Sequence, residues 1–332
     1  MQALIAIVGV LVALGAGAWQ AHFKSIFHDI GQLGRDIRAI NNDRCTVLDE
    51  LPACESKCNP TGHRQLLRMI PEIVLHQPTG LLFMACSTTA SRVQWTPALH
   101  RLNASARSTT DYVAIFDPGS RSTRKLALSG FSDPRGLNTH GMDVVPSSTS
   151  TSELFVYFVN QRPPLAQMTA DHADAPHSSV EIFRMNAITA STLEHVATVD
   201  SPLIRSPNDV AGSPDGKSFW LTNDGSHERG FAVCAVAAHA ILPCSLTRLS
   251  QHHAHIWLKT TPTNVVHCVL GGGCKVAAEK LRGANGIVRA PGTDIFYVAS
   301  SAGRELRAFE RQADDTLVLT DVIDAGKSRT VK

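Results

Sequence analysis

The sequence predicts an all-β fold built from a repeated unit. Three observations carry this. Polar residues Glu72, His140, Asn208 and Asn285 recur at spacings of 68, 68 and 77 positions, each at the head of a short apolar run. Turn glycines Gly80, Gly216 and Gly292 follow three of them after eight, eight and seven residues. Aromatic-containing apolar runs then follow, at 81–86, 153–160, 219–223 and 290–299. A polar strand tip, a short strand, a turn and a second strand, repeated at this period, describe the blades of a β-propeller.

The chain opens on a charge-free apolar run at residues 3–19. It is at the short limit for a membrane span, and Ala16-Gly17-Ala18 resembles a signal-peptide cleavage site. Residues 20–44 follow with Phe23, Ile26, Phe27, Ile30, Leu33, Ile37 and Ile40 on one broad face, an amphipathic helix suited to lipid contact or to packing on the domain. The domain reading is 1–44 as signal or anchor plus amphipathic helix, and 45–332 as the β-domain. Membrane or lipid contact is assigned to residues 3–40. Eight cysteines and the sequon Asn103-Ala104-Ser105 suit an oxidising compartment. The expected location is the secretory pathway, extracellular or anchored by the N-terminal segment. A net charge of +2 gives no electrostatic footprint for nucleic acid.

Residues 64–86 start the repeats. Residues 87–111, rich in Ser, Thr and Ala, read as a loop before a strand at 112–116. Residues 161–178 read as a long polar loop, and 180–185 with 193–199 as a strand pair. Residues 225–282 hold four cysteines and His252, His253 and His255, but no C-x₂-C pair for zinc. Cys268 and Cys274 bracket three glycines and read as a disulfide-tied loop.

The stretch 206–224 organises the chemistry. Asn208-Asp209 stands at a strand tip, Ser213-Pro-Asp-Gly216 is a turn, and the following strand ends at Asp224. Asn-Asp alone would equally cap a turn. Four polar tips from four repeats, however, would converge on one axis, and converging hard oxygen donors make a calcium site.

Asn138-Thr-His-Gly141, Phe158-Val-Asn160, Pro207-Asn-Asp-Val210, Thr222-Asn-Asp224 and Ala284-Asn-Gly-Ile287, in this order and spacing, resemble the serum paraoxonase/arylesterase family over nearly the whole chain. Those proteins are six-bladed propellers that hydrolyse lactones and aryl esters with calcium and often keep a hydrophobic N-terminal helix. The resemblance implies Glu72, Asn208 and Asn285 as ligands of a catalytic calcium that polarises the carbonyl. It implies Asp209 as ligand of a second, structural calcium. His140 becomes the candidate base, and Asp224 an acid lining the site. The substrate would be a small ester or lactone. Three departures stand against this. Ile73 replaces an aspartate of the structural calcium site. Gln161, which cannot take a proton near neutral pH, replaces a second histidine. The chain reaches Lys332 where the next Asp-Asn tip is expected, so a C-terminally truncated propeller of about four to five blades is expected, with an interrupted coding sequence at Gly326-Lys327-Ser328 as its cause. The family's late cysteine, the partner for the one Cys45 resembles, would then be missing. The alternative reading is a non-catalytic propeller that binds a ligand or partner, or an inactive truncated homologue.

Overall fold

A computed structural model describes residues 9–10, 12–17, 19–20, 51, 73–99, 101–225, 263–301 and 303–324. Within these, the chain is mostly β, arranged as four antiparallel four-stranded units. The first contains β1 (Ile73–His76) and β2 (Leu81–Cys86). A short helix α1 (Thr89–Gln94) and the small pair β3 (Trp95–Thr96) and β4 (Arg101–Leu102) are inserted before β5 (Tyr112–Asp117) and β6 (Ser122–Ser129). The second is β7 (Thr139–Pro146), β8 (Leu154–Arg162), β9 (His177–Met185) and β10 (Thr192–Val199). The third is β11 (Pro207–Gly212), β12 (Ser218–Asn223), β13 (Thr263–Val269) and β14 (Gly273–Leu281). The fourth is β15 (Ala284–Arg289), β16 (Ile295–Ser300), β17 (Glu305–Arg311) and β18 (Leu317–Asp324). Gly80, Gly216 and Gly292 all sit at positive φ, the conformation that made them recognisable as turn residues.

The first strands β1, β7, β11 and β15 each end a sheet, and each touches the next. Between the units lie three apolar cores. Phe83, Val113 and Ile115 of the first unit meet Met142, Val156 and Phe158 of the second. Tyr157, Val159 and Ile182 of the second meet Phe219 and Leu221 of the third. Trp220 and Leu281 of the third meet Phe296 and Phe309 of the fourth. Strands β8 and β12 are therefore buried on both faces, which is why each reads as a continuous apolar run rather than an alternating one. The outer strands β6 and β10 pair in parallel, Ala127 opposite Thr192, and fuse the first two units into one eight-stranded sheet.

Two expectations change. The expected loop 87–111 holds α1, capped by the Thr88 hydroxyl that accepts from the Ser91 N–H, and the pair β3–β4. The expected loop 161–178 is shorter, because β8 runs to Arg162 and β9 starts at His177. Gln161, Arg162 and Ser178 are polar yet buried, while His177 is exposed. Arg162 bonds Asp133 at 2.5 Å and Asp200 at 3.0 Å, partners distant in sequence. The disulfide Cys268–Cys274 is formed across β13 and β14. The described residues of the N-terminal run are helical at 9–10 and 12–17 and exposed. Among the described residues no helix is long and apolar enough to cross a membrane. The amphipathic segment 21–44 and His252, His253 and His255 lie outside the described residues. Asn103 of the sequon is half-buried and donates its amide to Gln94 at 3.0 Å.

Phe158 is fully buried and packs edge-on against Phe183 at 5.6 Å. Phe158→Ala is expected to destabilise the fold by about 3–5 kcal/mol, read as a shift in the urea unfolding midpoint.

Candidate functional site

The side chains of His140, Asn208 and Asp224 meet where the first strands of the second and third units touch. His140 lies near the start of β7, Asn208 near the start of β11, and Asp224 directly after β12. The Asn208 Nδ2 faces Asp224 Oδ2 at 3.3 Å and His140 Nε2 at 3.4 Å. An amide carries its oxygen opposite its nitrogen, so the Asn208 Oδ1 turns away from both partners. His140 and Asp224 are buried. Burial, with the positive Arg92 nearby, pushes the His140 imidazole down to about 4. At neutral pH the ring is therefore uncharged, and a nitrogen lone pair is available as proton acceptor.

A set of buried amides holds this geometry. The Asn223 Oδ1 accepts from the N–H groups of Arg205 and Ser206 at 3.1 and 3.0 Å, and the Asp224 N–H donates to the Ser206 carbonyl at 2.9 Å. These bonds fix the entry to β11. Gln161 contributes too: its side-chain Nε2 donates to the Pro207 carbonyl at 2.9 Å, next to Asn208, while its main-chain carbonyl accepts from the Trp95 indole at 2.7 Å. Gln161 is thus a tie between the second and third units at the position where a second histidine was expected from the resemblance. Gly141 allows the close approach, since a Cβ there would stand 2.5 Å from the Asn208 carbonyl oxygen and 2.5 Å from the Asp209 Cα.

Two carboxylates cross between first strands in the same way. Asp209 Oδ1 accepts from its neighbour Val210 N–H at 2.7 Å, and Oδ2 from Ile287 N–H of β15 at 2.8 Å. Asp143 Oδ1 accepts from Val144 N–H at 2.8 Å, and Oδ2 from Gly212 N–H of β11 at 2.8 Å. Burial still outweighs these bonds at Asp143 and pushes its carboxyl up to about 6. Asp143 and Gln161 were not singled out as site supports from sequence. The signal for Asp143 was present, a carboxylate inside the apolar run Met142–Val145. Gln161 carried only its departure from the family pattern.

Of the predicted metal ligands, Asn208 stands with Asp224 and His140. Asn285 lies on β15, with its carbonyl accepting from the Thr222 hydroxyl at 2.5 Å. Glu72 lies outside the described residues. The donor types that meet here, the Asp224 carboxylate and the Asn208 amide, are of the kind a hard cation such as calcium takes and would not suit a thiophilic metal. A second, structural ion fits poorly. Both Asp209 oxygens accept backbone N–H groups, and Ile73 has no donor. Among the described residues no group of three His, Cys, Asp or Glu side chains gathers as a metal centre.

No family model and no curated protein matches the chain. Among solved structures it is similar to a luciferin-regenerating enzyme (10% identity, TM-score 0.37, 76% of this chain and 58% of that one). It is also similar to the Dos1 propeller (8% identity, TM-score 0.35, 78% and 49%). A third likeness is to the periplasmic gluconolactonase of Pseudomonas aeruginosa (12% identity, TM-score 0.31, 76% and 69%). The chain spans about half to three-fifths of the length of the first two. The architecture is defined by the chain's own strand pairing rather than by these likenesses.

Asp143 gives a test by pH. Its folded value, about 6, exceeds its ordinary value of 3.8. The folded state therefore holds a proton between these values that the unfolded state has lost. The stabilisation this gives is complete below pH 4 and is lost as pH rises through 6, a swing of about 3 kcal/mol at most. Asp143→Asn is expected to abolish that swing. The stability of the variant relative to wild type should rise between pH 4 and 6, measured by urea unfolding. A constant difference across this range would mean that Asp143 titrates normally.

Proposed function

We propose that the chain is a calcium-dependent hydrolase of small lactones or aryl esters, built as a propeller of the six-bladed type. The observation carrying this is the meeting of His140 from the second unit with Asn208 and Asp224 from the third. The resemblance of the same residues to the paraoxonase/arylesterase pattern supports it. Asn208, Asn285 and Glu72 would hold the calcium through side-chain oxygens, and Asp224 would add negative charge beside them. When bound, calcium supplies Lewis-acid polarisation of the ester carbonyl. The neutral His140 imidazole takes the proton from the attacking water, although burial makes it a weaker base than a free imidazole. The Asn208 N–H faces His140 Nε2, so proton uptake at that nitrogen requires the amide to turn aside. The apolar cores on either side of β7 and β11 exclude bulk water below the site, which strengthens the local electrostatics. The disulfide and the apolar N-terminal run support placement in the secretory pathway, with lipid contact through residues 3–40.

The second reading, a propeller that binds a ligand or partner without turnover, is favoured by Gln161. Its side chain is spent on the Pro207 carbonyl and cannot take up a proton near neutral pH, so His140 has no second imidazole to relay to.

Hydrolysis of phenyl acetate and of γ-butyrolactone, measured with added calcium and with a chelator, separates the two. The expected result is turnover that a chelator abolishes and calcium restores. His140→Gln should lower kcat by about a hundredfold or more. Asn208→Ala should weaken calcium binding in isothermal titration. A folded protein that binds no calcium and turns over neither substrate would establish the binding reading instead.

A further inference from the structure

The site receives a third support, from the first unit. Arg92 lies in the last turn of α1, and its Nη2 donates to the Thr139 carbonyl at 2.8 Å and to the Thr139 hydroxyl at 3.1 Å. Asp111, just before β5, accepts the Thr139 N–H on Oδ2 at 3.2 Å. The same Oδ2 lies 3.5 Å from Arg92 Nη2, and Oδ1 accepts from the Ser87 hydroxyl at 2.5 Å. One ion pair therefore holds both backbone groups of Thr139, the residue directly before His140. The two side chains are only 13% and 2% exposed.

Strand pairing does not fix this point by itself. The register of β7 against β8 shifts between Thr139 and Met142, so His140 and Gly141 fall in the irregular step. A bulge re-aims a side chain, and an aim set by a bulge needs an anchor nearby. The pair is also a poor choice for stability alone. Burying two charges costs several kcal/mol, and apolar side chains of similar volume often do as well or better. Arg92 Nε is buried without a hydrogen-bond partner, so the guanidinium is not arranged for greatest bonding. Desolvation weighs on both partners, lowering Arg92 and raising Asp111 from their ordinary values.

We propose that Arg92 and Asp111 are positioning residues: their ion pair clamps the Thr139 peptide across the boundary between the first two units and so holds the His140 imidazole against Asn208. The catalytic part of this rests on His140 acting as base. The clamp itself does not.

The test compares wild type, Arg92→Met, Arg92→Lys and the double variant Arg92→Met/Asp111→Leu. Turnover of phenyl acetate, the thermal midpoint and backbone hydrogen exchange over residues 139–141 are measured on each, with calcium present. Arg92→Met is expected to lower kcat by about ten- to a hundredfold, the scale of a misplaced group, with KM changed less than about threefold. Exchange at 139–141 should speed up. The double variant should regain the thermal midpoint while kcat stays low and exchange stays fast. Arg92→Lys, which keeps the charge without the planar fork, should recover part of kcat. Recovery of kcat together with the midpoint in the double variant would reduce the pair to a structural role and overturn the proposal. Unchanged exchange at 139–141 in a folded Arg92→Met would overturn it as well, whether or not the wild type is active. If Arg92→Met does not fold, Arg92→Lys and the double variant carry the same comparison. A wild type without calcium-dependent turnover would defeat only the functional reading, because exchange reports the clamp independently.

Discussion

The open edges of the four first strands are the constraint on which the rest of the structure depends. Each of β1, β7, β11 and β15 is hydrogen-bonded along one side only, so its other side presents backbone N–H groups that need partners. Two aspartates supply them. Asp143 and Asp209 each bond the N–H that follows in their own strand and one N–H in the next unit. The neighbour bonded is in each case one step further from the polar tip than the aspartate itself. The same device thus appears at two levels of adjacent strands, and it sets how closely those strands stand.

That spacing is what allows a site. Side chains on neighbouring first strands meet only if the strands approach closely, and Gly141 marks how close this is, lying against the backbone of Asn208 and Asp209. The apolar cores between the units supply the bulk of the burial, but they act through faces and tolerate sliding. Directional bonds from Asp209, Gln161, Asn223 and the Arg92–Asp111 pair remove that freedom at the end where His140, Asn208 and Asp224 lie. In this chain the polar interior is therefore concentrated at one end of the first strands, and the apolar interior along their length.

Much of the fold was legible in the sequence because its signals are local. The turn glycines needed positive φ, the apolar runs were long enough to be strands buried on both faces, and Cys268 and Cys274 were close enough to tie one hairpin. The positions of His140 and Asn208 at strand tips followed from the same period. What escaped depended on partners far away in sequence. Arg162 looks like a loop residue until Asp133 and Asp200 surround it. The Ser/Thr-rich stretch after β2 hides α1, whose purpose is met only 47 residues later at Thr139. Asp209 was assigned to a metal by resemblance, and its two N–H donors could not be foreseen without knowing which strand lies alongside. Gln161 was legible as a departure but not as a tie.

The parallel seam between β6 and β10 makes the units unequal. It gives the first and second a shared backbone ladder, reinforced where Arg124 reaches the Ala190 and Ile188 carbonyls. Among the described residues the third and fourth units join their neighbours without such a ladder, through side-chain cores and single cross-links. The first two units should consequently lose structure as one block, while the others can loosen individually. His140 belongs to that block and Asn208 does not, so the candidate site straddles the boundary between a stiffer half and a more yielding one.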